Sequence, residues 1–330
     1  MKIVPIFLRY DYGIKSRGDS LEYKGFYAAL KQLTDEVYPF WYDNYLTNKD
    51  ELQQQIIKFV DDVNPTIVFF ILMKDEISFK TLDYLKDKYT TINWFCDDQW
   101  RFENFTRNYA PHFTYSITTD KFSLNKYKHM GYDNAILSQW ASFGCEKDIS
   151  LNEIDYKHDV SFVGSISIYR KWIVEELLKK GIEVKCFGLG WENGKVSFEK
   201  MTEIFKSSKI NLNISNSASS DIRVIFSSPK GLYEFIKSKK RCEQIKARNF
   251  EIPFFGGFQL TNYIPSLEDH FEIGRDVAVY TSVEDLVHQI YYYLENEEER
   301  RKIMIAGYNN AINKHNYLNR LQDIFLRVGL

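Results

Sequence analysis

Two cations, Lys246 and Arg248, a carboxylate, Glu251, and a glycine pair, Gly256 and Gly257, stand within a dozen residues, where a helical pattern gives way to a strand. A helix beginning near Ile245 would present free backbone N–H groups and the positive end of its dipole, and both favour an anion. Arg248 can clamp a phosphate through two parallel bonds. Glu251, one turn further on, can accept two hydrogen bonds from a ribose diol. A sugar nucleotide carries both groups. A surface helix with i to i+3 and i to i+5 charge pairs, ending at Pro253 and Gly256, accounts for the same residues about equally well. A second acid, Glu243, stands eight positions before Glu251 (251 − 243 = 8).

Other candidates lie where strands should end. Gly164-Ser165 lets backbone approach a diphosphate and Arg170 can reach it; an ordinary tight turn and a surface arginine read the same way. Gly188-Leu189-Gly190-Trp191 closes the next strand, so Trp191 either stacks on a base or is buried as a structural residue. Asp97-Asp98 follows another strand. A metal site is one reading of the pair; a loop in which Asp98 serves as general base or sugar contact is the other, and the one preferred. Residues 10–22, with Tyr10, Gly13, Arg17 and Gly18, form a flexible loop after the first strand, suited either to acceptor binding or to simple connection. His112 stands closest to these segments among six histidines, none of them clustered like metal ligands.

Strands and helices alternate nearly throughout and must position these groups. Strands are expected over residues 2–8, 37–41, 66–73, 92–96, 113–118 and 135–138, with helices over 20–33, 49–63 and 120–130. A second series follows, with strands over 159–163, 183–187, 210–214, 257–261 and 277–280. Its helices cover 169–180, 198–207, 282–294, 297–313 and 318–328. Such alternation gives parallel sheets covered on both faces. The polar stretch 144–158 separates the series into two facing doubly wound domains, 1–150 and 151–330, with the last helix a candidate to pack back on the first. Ligands of open sheets bind beyond the carboxyl ends of the strands. Residues 215–241, serine-rich at the start and basic at the end (Lys237, Lys239, Lys240, Arg241), break the alternation as a mobile flap or a surface insertion.

Lys246-Ala247-Arg248-Asn249-Phe250-Glu251-Ile252-Pro253, Gly256-Gly257-Phe258 and Thr261-Asn262-Tyr263 together resemble the signature of the spore maturation protein CgeB-like glycosyltransferases. Leu267-Glu268, Phe271-Glu272-Ile273-Gly274-Arg275, Val279-Tyr280, Tyr291-Tyr292-Tyr293-Leu294, Ala306-Gly307-Tyr308 and His315-Asn316-Tyr317 continue the likeness. Upstream, Phe162-Val163-Gly164-Ser165 with Arg170, Phe187 to Trp191, and Trp94-Phe95-Cys96-Asp97-Asp98 are similar as well. The match is dense from Val160 onward and sparser before it. The resemblance implies an α/β GT-B fold with the sugar nucleotide held mainly by the carboxyl-terminal domain. It also implies that Glu243 and Glu251 form the two-glutamate motif of many retaining transferases, the second acid on the ribose and the first near the donor sugar. Metal would not be needed, because helix dipoles and cations stabilise the leaving diphosphate.

Composition limits the alternatives. The chain has 330 residues, 44% hydrophobic and 27% charged, as in a globular protein of two domains. A net charge of −2 supplies no global attraction to nucleic acid. The aromatic content of 16% suits carbohydrate stacking, although a coding bias explains it more simply. Cys96, Cys145, Cys186 and Cys242 have neither disulfide nor zinc spacing, and no apolar run reaches the roughly 20 residues of a membrane span. The expectation is a cytoplasmic, metal-independent hexosyltransferase-type enzyme without cofactor, acting on a glycan, lipid-linked or protein acceptor. A non-catalytic spore or surface protein keeping a GT-B shell is the alternative. A nicotinamide oxidoreductase is disfavoured, because Arg9 to Ile14 has no G-x-G-x-x-G turn, and a solute-binding protein because no export signal is seen.

Overall fold

The computed structural model describes residues 1–144, 151, 154–240 and 242–330; Cys145 and Arg241, named above, lie outside them. The chain divides into two compact units, Met1–Gln139 with Tyr317–Leu330, and Trp140–Asn316. The first holds six parallel strands, β1 (Ile3–Phe7), β2 (Phe40–Trp41), β3 (Ile67–Phe70), β4 (Thr90–Phe95), β5 (Tyr115–Thr118) and β6 (Ala135–Leu137), in the order β2-β1-β3-β4-β5-β6. The second holds β7 (His158–Val163), β8 (Val184–Phe187), β9 (Ser208–Asn213), β10 (Gln259–Asn262) and β11 (Ala278–Tyr280), in the order β11-β10-β9-β7-β8. Both sheets therefore reverse direction next to their first strand, and such a switch point leaves a crevice beyond the strands' carboxyl ends.

Strand burial explains the arrangement. β1 and β3 are buried along their whole length, the continuous apolar run that a sheet covered on both faces demands. The Lys49–Val63 helix turns Leu52, Ile56 and Val60 inward at intervals of four, one face of a 3.6-residue period. Asn48 caps it through the Glu51 N–H, and Asn64 ends it in the left-handed region. The helix expected over 20–33 begins instead as a π-turn, Glu22–Tyr27, before Ala28–Leu33. Gly25 lies there against the Tyr317 ring, and Phe26 packs on the same ring at 4.5 Å, so the carboxyl-terminal Tyr317–Arg327 helix completes the first unit.

In the second unit residues 215–240 include two short helices, Ile222–Ile225 and Pro229–Lys237. The helix expected near Ile245 starts at Ala247 and runs to Phe254.

The turns after β7 and β8 cross closely. A Cβ on Gly188, whose φ is +132°, would stand 2.3 Å from the Gly164 carbonyl oxygen. Gly188→Ala should therefore destabilise the protein by about 2–4 kcal/mol in urea titration. Gly194→Ala, also at positive φ but with nothing within 4 Å, should lose only about 1 kcal/mol.

Candidate functional site

At the switch point of the second sheet, the turn after β7 faces the end of β9. Arg170, in the first turn of the Ile168–Lys179 helix, spans the two. Its guanidinium donates to the carbonyls of Ser165 (2.9 Å), Ile214 (2.8 Å) and Ser215 (3.3 Å). Burial, with Arg248 nearby, pulls its pKa down to about 10. The side chain is thus committed to tying two strand ends together. Trp191 does similar work: its indole N–H donates to the Gly164 carbonyl at 2.9 Å, and its ring meets the edge of Phe162. Gly190, at φ +91°, lets this turn lie on Ile166. Gly164, Ser165, Arg170, Gly190 and Trp191 are thereby brought into one cluster, held by one another, and Ser165 stays exposed.

A chain of buried amides runs from this sheet to an acid. Asn249 accepts from the Lys246 backbone N–H at 3.0 Å, closing the start of the Ala247–Phe254 helix, and its side-chain amide donates to Thr261. Gln259 donates to the Asn249 carbonyl, and Asn213 to Gln259. On β10, Asn262 accepts from the Ser215 N–H at 3.0 Å and donates to the Glu243 carboxylate at 3.0 Å. Burial raises the Glu243 pKa, against the lowering influence of Asn262, Asn216 and Arg170. Glu243 lines a cavity of about 310 Å³ with Tyr169, Asp221, Arg223, Asn262, Tyr263, Tyr280 and Thr281. Arg223 is neutralised there by Asp221 at 2.7 Å and by Glu284. Carboxyl, phenol and amide groups on aromatic walls suit a polyhydroxylated ligand.

Lys246, Arg248 and Glu251 are not among the residues that line this cavity. Arg248 pairs with Glu251 at 2.6 Å, rests on the Met201 sulfur and lies over the Phe205 ring. The Glu251 side chain is only 9% exposed, so the i to i+3 pair is an internal one. Gly256 and Gly257 are not among the residues lining the cavity either. They connect the end of the Ala247–Phe254 helix to the start of β10, at the opposite edge of the sheet from the carboxyl ends. Gly256 sits at φ +76°, and a Cβ on Gly257 would press on Asn211 and the Phe205 carbonyl.

In the first unit, Asp98 is fully buried and accepts from Thr106 (2.6 Å) and Tyr127 (2.9 Å). Burial raises its pKa, and both of its oxygens are taken up by these hydroxyls inside the first unit rather than presented at the surface. Among the described residues no group of three or more His, Cys, Asp or Glu is placed to hold a metal. The 10–18 loop closes on itself, with Asp11 N–H donating to the Gly18 carbonyl and the Tyr10 N–H to Asp43. Gly13 packs on Leu46, while Arg17 is exposed over the Tyr12 ring. His112 stacks on Phe79 at the amino side of β5, away from this loop. Glu22, beside the loop, was missed: burial pushes its pKa up to about 7, Asp11 and Asp43 adding to the rise, with its own N–H and Ser20 opposing.

Sequence reasoning also missed Tyr169, Asn216, Asp221 and Arg223. Asn262 and Tyr280 did fall inside quoted motifs, but without a role. The available signal was a polar residue at the carboxyl end of a strand, as with Asn262 on β10.

Residues 170–325 match the model of a family described as glycosyl transferase-like. No curated protein matches the sequence. Among solved structures, Anabaena HepE in complex with UDP-glucose is similar over 100% of this chain and 99% of its own, at 12% identity and TM-score 0.60. A Rickettsia africae glycosyltransferase matches over 99% and 97%, at 12% identity and TM-score 0.60. Sucrose-phosphate synthase from Thermosynechococcus elongatus matches over 99% and 97%, at 8% identity and TM-score 0.60. Two parallel-sheet α/β units with these whole-chain likenesses define a GT-B fold.

Two outcomes follow from the pairings. Arg248→Ala should destabilise the protein by about 3 kcal/mol, because it strands a buried carboxylate. In a Glu251→Gln background the loss should fall by at least about 1 kcal/mol, as a double-mutant cycle in urea would read. Additive losses would show the pair to be energetically idle. For Glu22, the folded state holds its proton more tightly than the unfolded chain does. Its contribution is therefore present below pH 4.5 and lost as the pH rises to about 7. Glu22→Gln should gain about 2 kcal/mol on the wild type between pH 5 and pH 8, measured by denaturation at each pH.

Proposed function

We propose that the protein is a glycosyltransferase moving a sugar from a nucleoside diphosphate sugar to a glycan, lipid-linked or protein acceptor. One observation carries this reading: the Glu243 carboxyl, of raised pKa, is held by Asn262 in an aromatic, hydroxyl-rich cavity at the carboxyl edge of the second sheet. That cavity falls largely within the region matched to the glycosyl transferase-like family, and HepE, of the same fold, is described in complex with UDP-glucose.

In this reading the donor sugar's hydroxyls face Glu243, Asp221 and the tyrosines. The turn Gly164-Ser165 approaches the diphosphate, with Lys246 and the start of the Ala247–Phe254 helix adding positive potential while Arg248 stays paired with Glu251, so that no bound metal is required. The bond between the anomeric carbon and the diphosphate oxygen breaks. The acceptor hydroxyl takes the sugar on the face that the diphosphate leaves, and its proton passes to the departing diphosphate oxygen, so that configuration is retained. Within the class we assign the chain to the CgeB-like group, as a hexosyltransferase acting in the cytoplasm. The motif resemblance supports the first assignment, and Cys96, Cys186 and Cys242, none of them disulfide-bonded, fit a reducing compartment. Among the described residues, no helix is long and apolar enough to cross a membrane.

Calorimetry against UDP, GDP, ADP, CMP and dTDP should find one nucleotide that binds. With the matching sugar nucleotide, Glu243→Gln should keep binding within about threefold and lose turnover by about 100-fold or more. Binding of none of the five would sink the reading. Binding without transfer or hydrolysis in the wild type would favour a non-catalytic GT-B shell.

A further inference from the structure

The segment after β9 carries a surface that the donor cavity does not use. Ile222, Phe226, Leu232, Tyr233 and Ile236 are 69, 75, 40, 60 and 70% exposed, all within residues 222–236. Concentrated apolar exposure of this kind marks an interaction site rather than ordinary surface. The segment is also firmly seated. Val224 and Ile225 are buried, a Cβ on Gly231 would meet their carbonyls at 2.8 and 2.9 Å, and Arg223 is ion-paired to Asp221 and Glu284. The apolar side chains are therefore displayed from a fixed base.

Their flanks are basic. Residues 226–240 hold four lysines, Lys230, Lys237, Lys239 and Lys240, against one acid, Glu234, in a chain whose net charge is −2. Lys230 and Lys237 are exposed, the latter with its ammonium 5.5 Å from the Tyr233 ring. We infer that the helices Ile222–Ile225 and Pro229–Lys237 dock on an anionic lipid bilayer surface. Ile222, Phe226, Leu232 and Ile236 would enter the headgroup boundary while the lysines meet lipid phosphates. A second copy of the chain suits the surface less well, because isologous pairing would bring lysines against lysines. Asp221 and Arg223, which begin the same segment, also line the Glu243 cavity, so docking holds that cavity close to the bilayer. Resting on the transferase reading, this selects a lipid-linked acceptor among the three acceptor classes.

Sedimentation with vesicles tests the docking without any donor. The wild type should co-sediment with phosphatidylcholine vesicles carrying about one-third phosphatidylglycerol and not with phosphatidylcholine alone. The double variant Phe226→Glu/Ile236→Glu, whose positions are exposed and whose folding should be intact by circular dichroism, should partition about tenfold less or worse. Lys230→Gln and Lys237→Gln should each weaken binding about fivefold, and about 0.5 M salt should weaken the wild type in the same direction. Equal partitioning of wild type and double variant would overturn the inference. So would a dimer in sedimentation velocity that the double variant dissolves, which would make the face a self-association surface. Nucleotide calorimetry without vesicles reads the transferase assignment separately, so either can fail alone.

Discussion

The second unit depends on keeping amides satisfied in a sheet that water does not reach. Asn211, Asn213, Gln259, Thr261 and Asn249 are all at most 3% exposed, and each has a partner there. An unmet buried amide would forfeit about 1–3 kcal/mol, so the network allows essentially one register between β9, β10 and the Ala247–Phe254 helix. Its outer end is Asn262, whose oxygen holds the chain leaving β9 and whose nitrogen holds Glu243. The position of the candidate acid is thus inherited from the core, not from the loop that carries it.

Close backbone approach does the corresponding work on the other side of the switch point. Gly188 and Gly190 allow the turn after β8 to lie on the turn after β7, and Trp191 and Arg170 then fasten that turn by its carbonyls. Arg170 donates to three backbone oxygens at the ends of two strands, so it holds the walls of the crevice together.

Charge is distributed by the same logic. Arg248 and Glu251 neutralise each other outside the cavity lining, and Arg223, which lines it, is held by two acids. Glu243 is left with amides and the lowering influence of Arg170, over which burial prevails, so its pKa rises. The lysines of 226–240 lie beside exposed apolar side chains, a combination that neither core packing nor the donor cavity explains.

The alternation of apolar strands and amphipathic helices was legible in the sequence because burial on two faces leaves continuous runs such as Ile67–Phe70 and periodic ones such as Leu52, Ile56 and Val60. The cluster at the end of β7 was legible too, since glycines at strand ends signal close approach. The placement of Asp98 and of the Gly256-Gly257 pair was not legible, because a sequence names a residue type without its depth or the sheet edge it occupies. Asp98 turned inward to Thr106 and Tyr127, and the glycines fell at the amino edge. Glu243 shows the reverse. Eight-residue spacing alone gave it little weight, and Asn262, nineteen positions away in the chain, made it the buried acid of the cavity. Local pattern sets which elements form, because it acts through propensity and burial within one segment. Which side chains share a site is decided only by tertiary structure, because that depends on hydrogen bonds between segments remote in sequence.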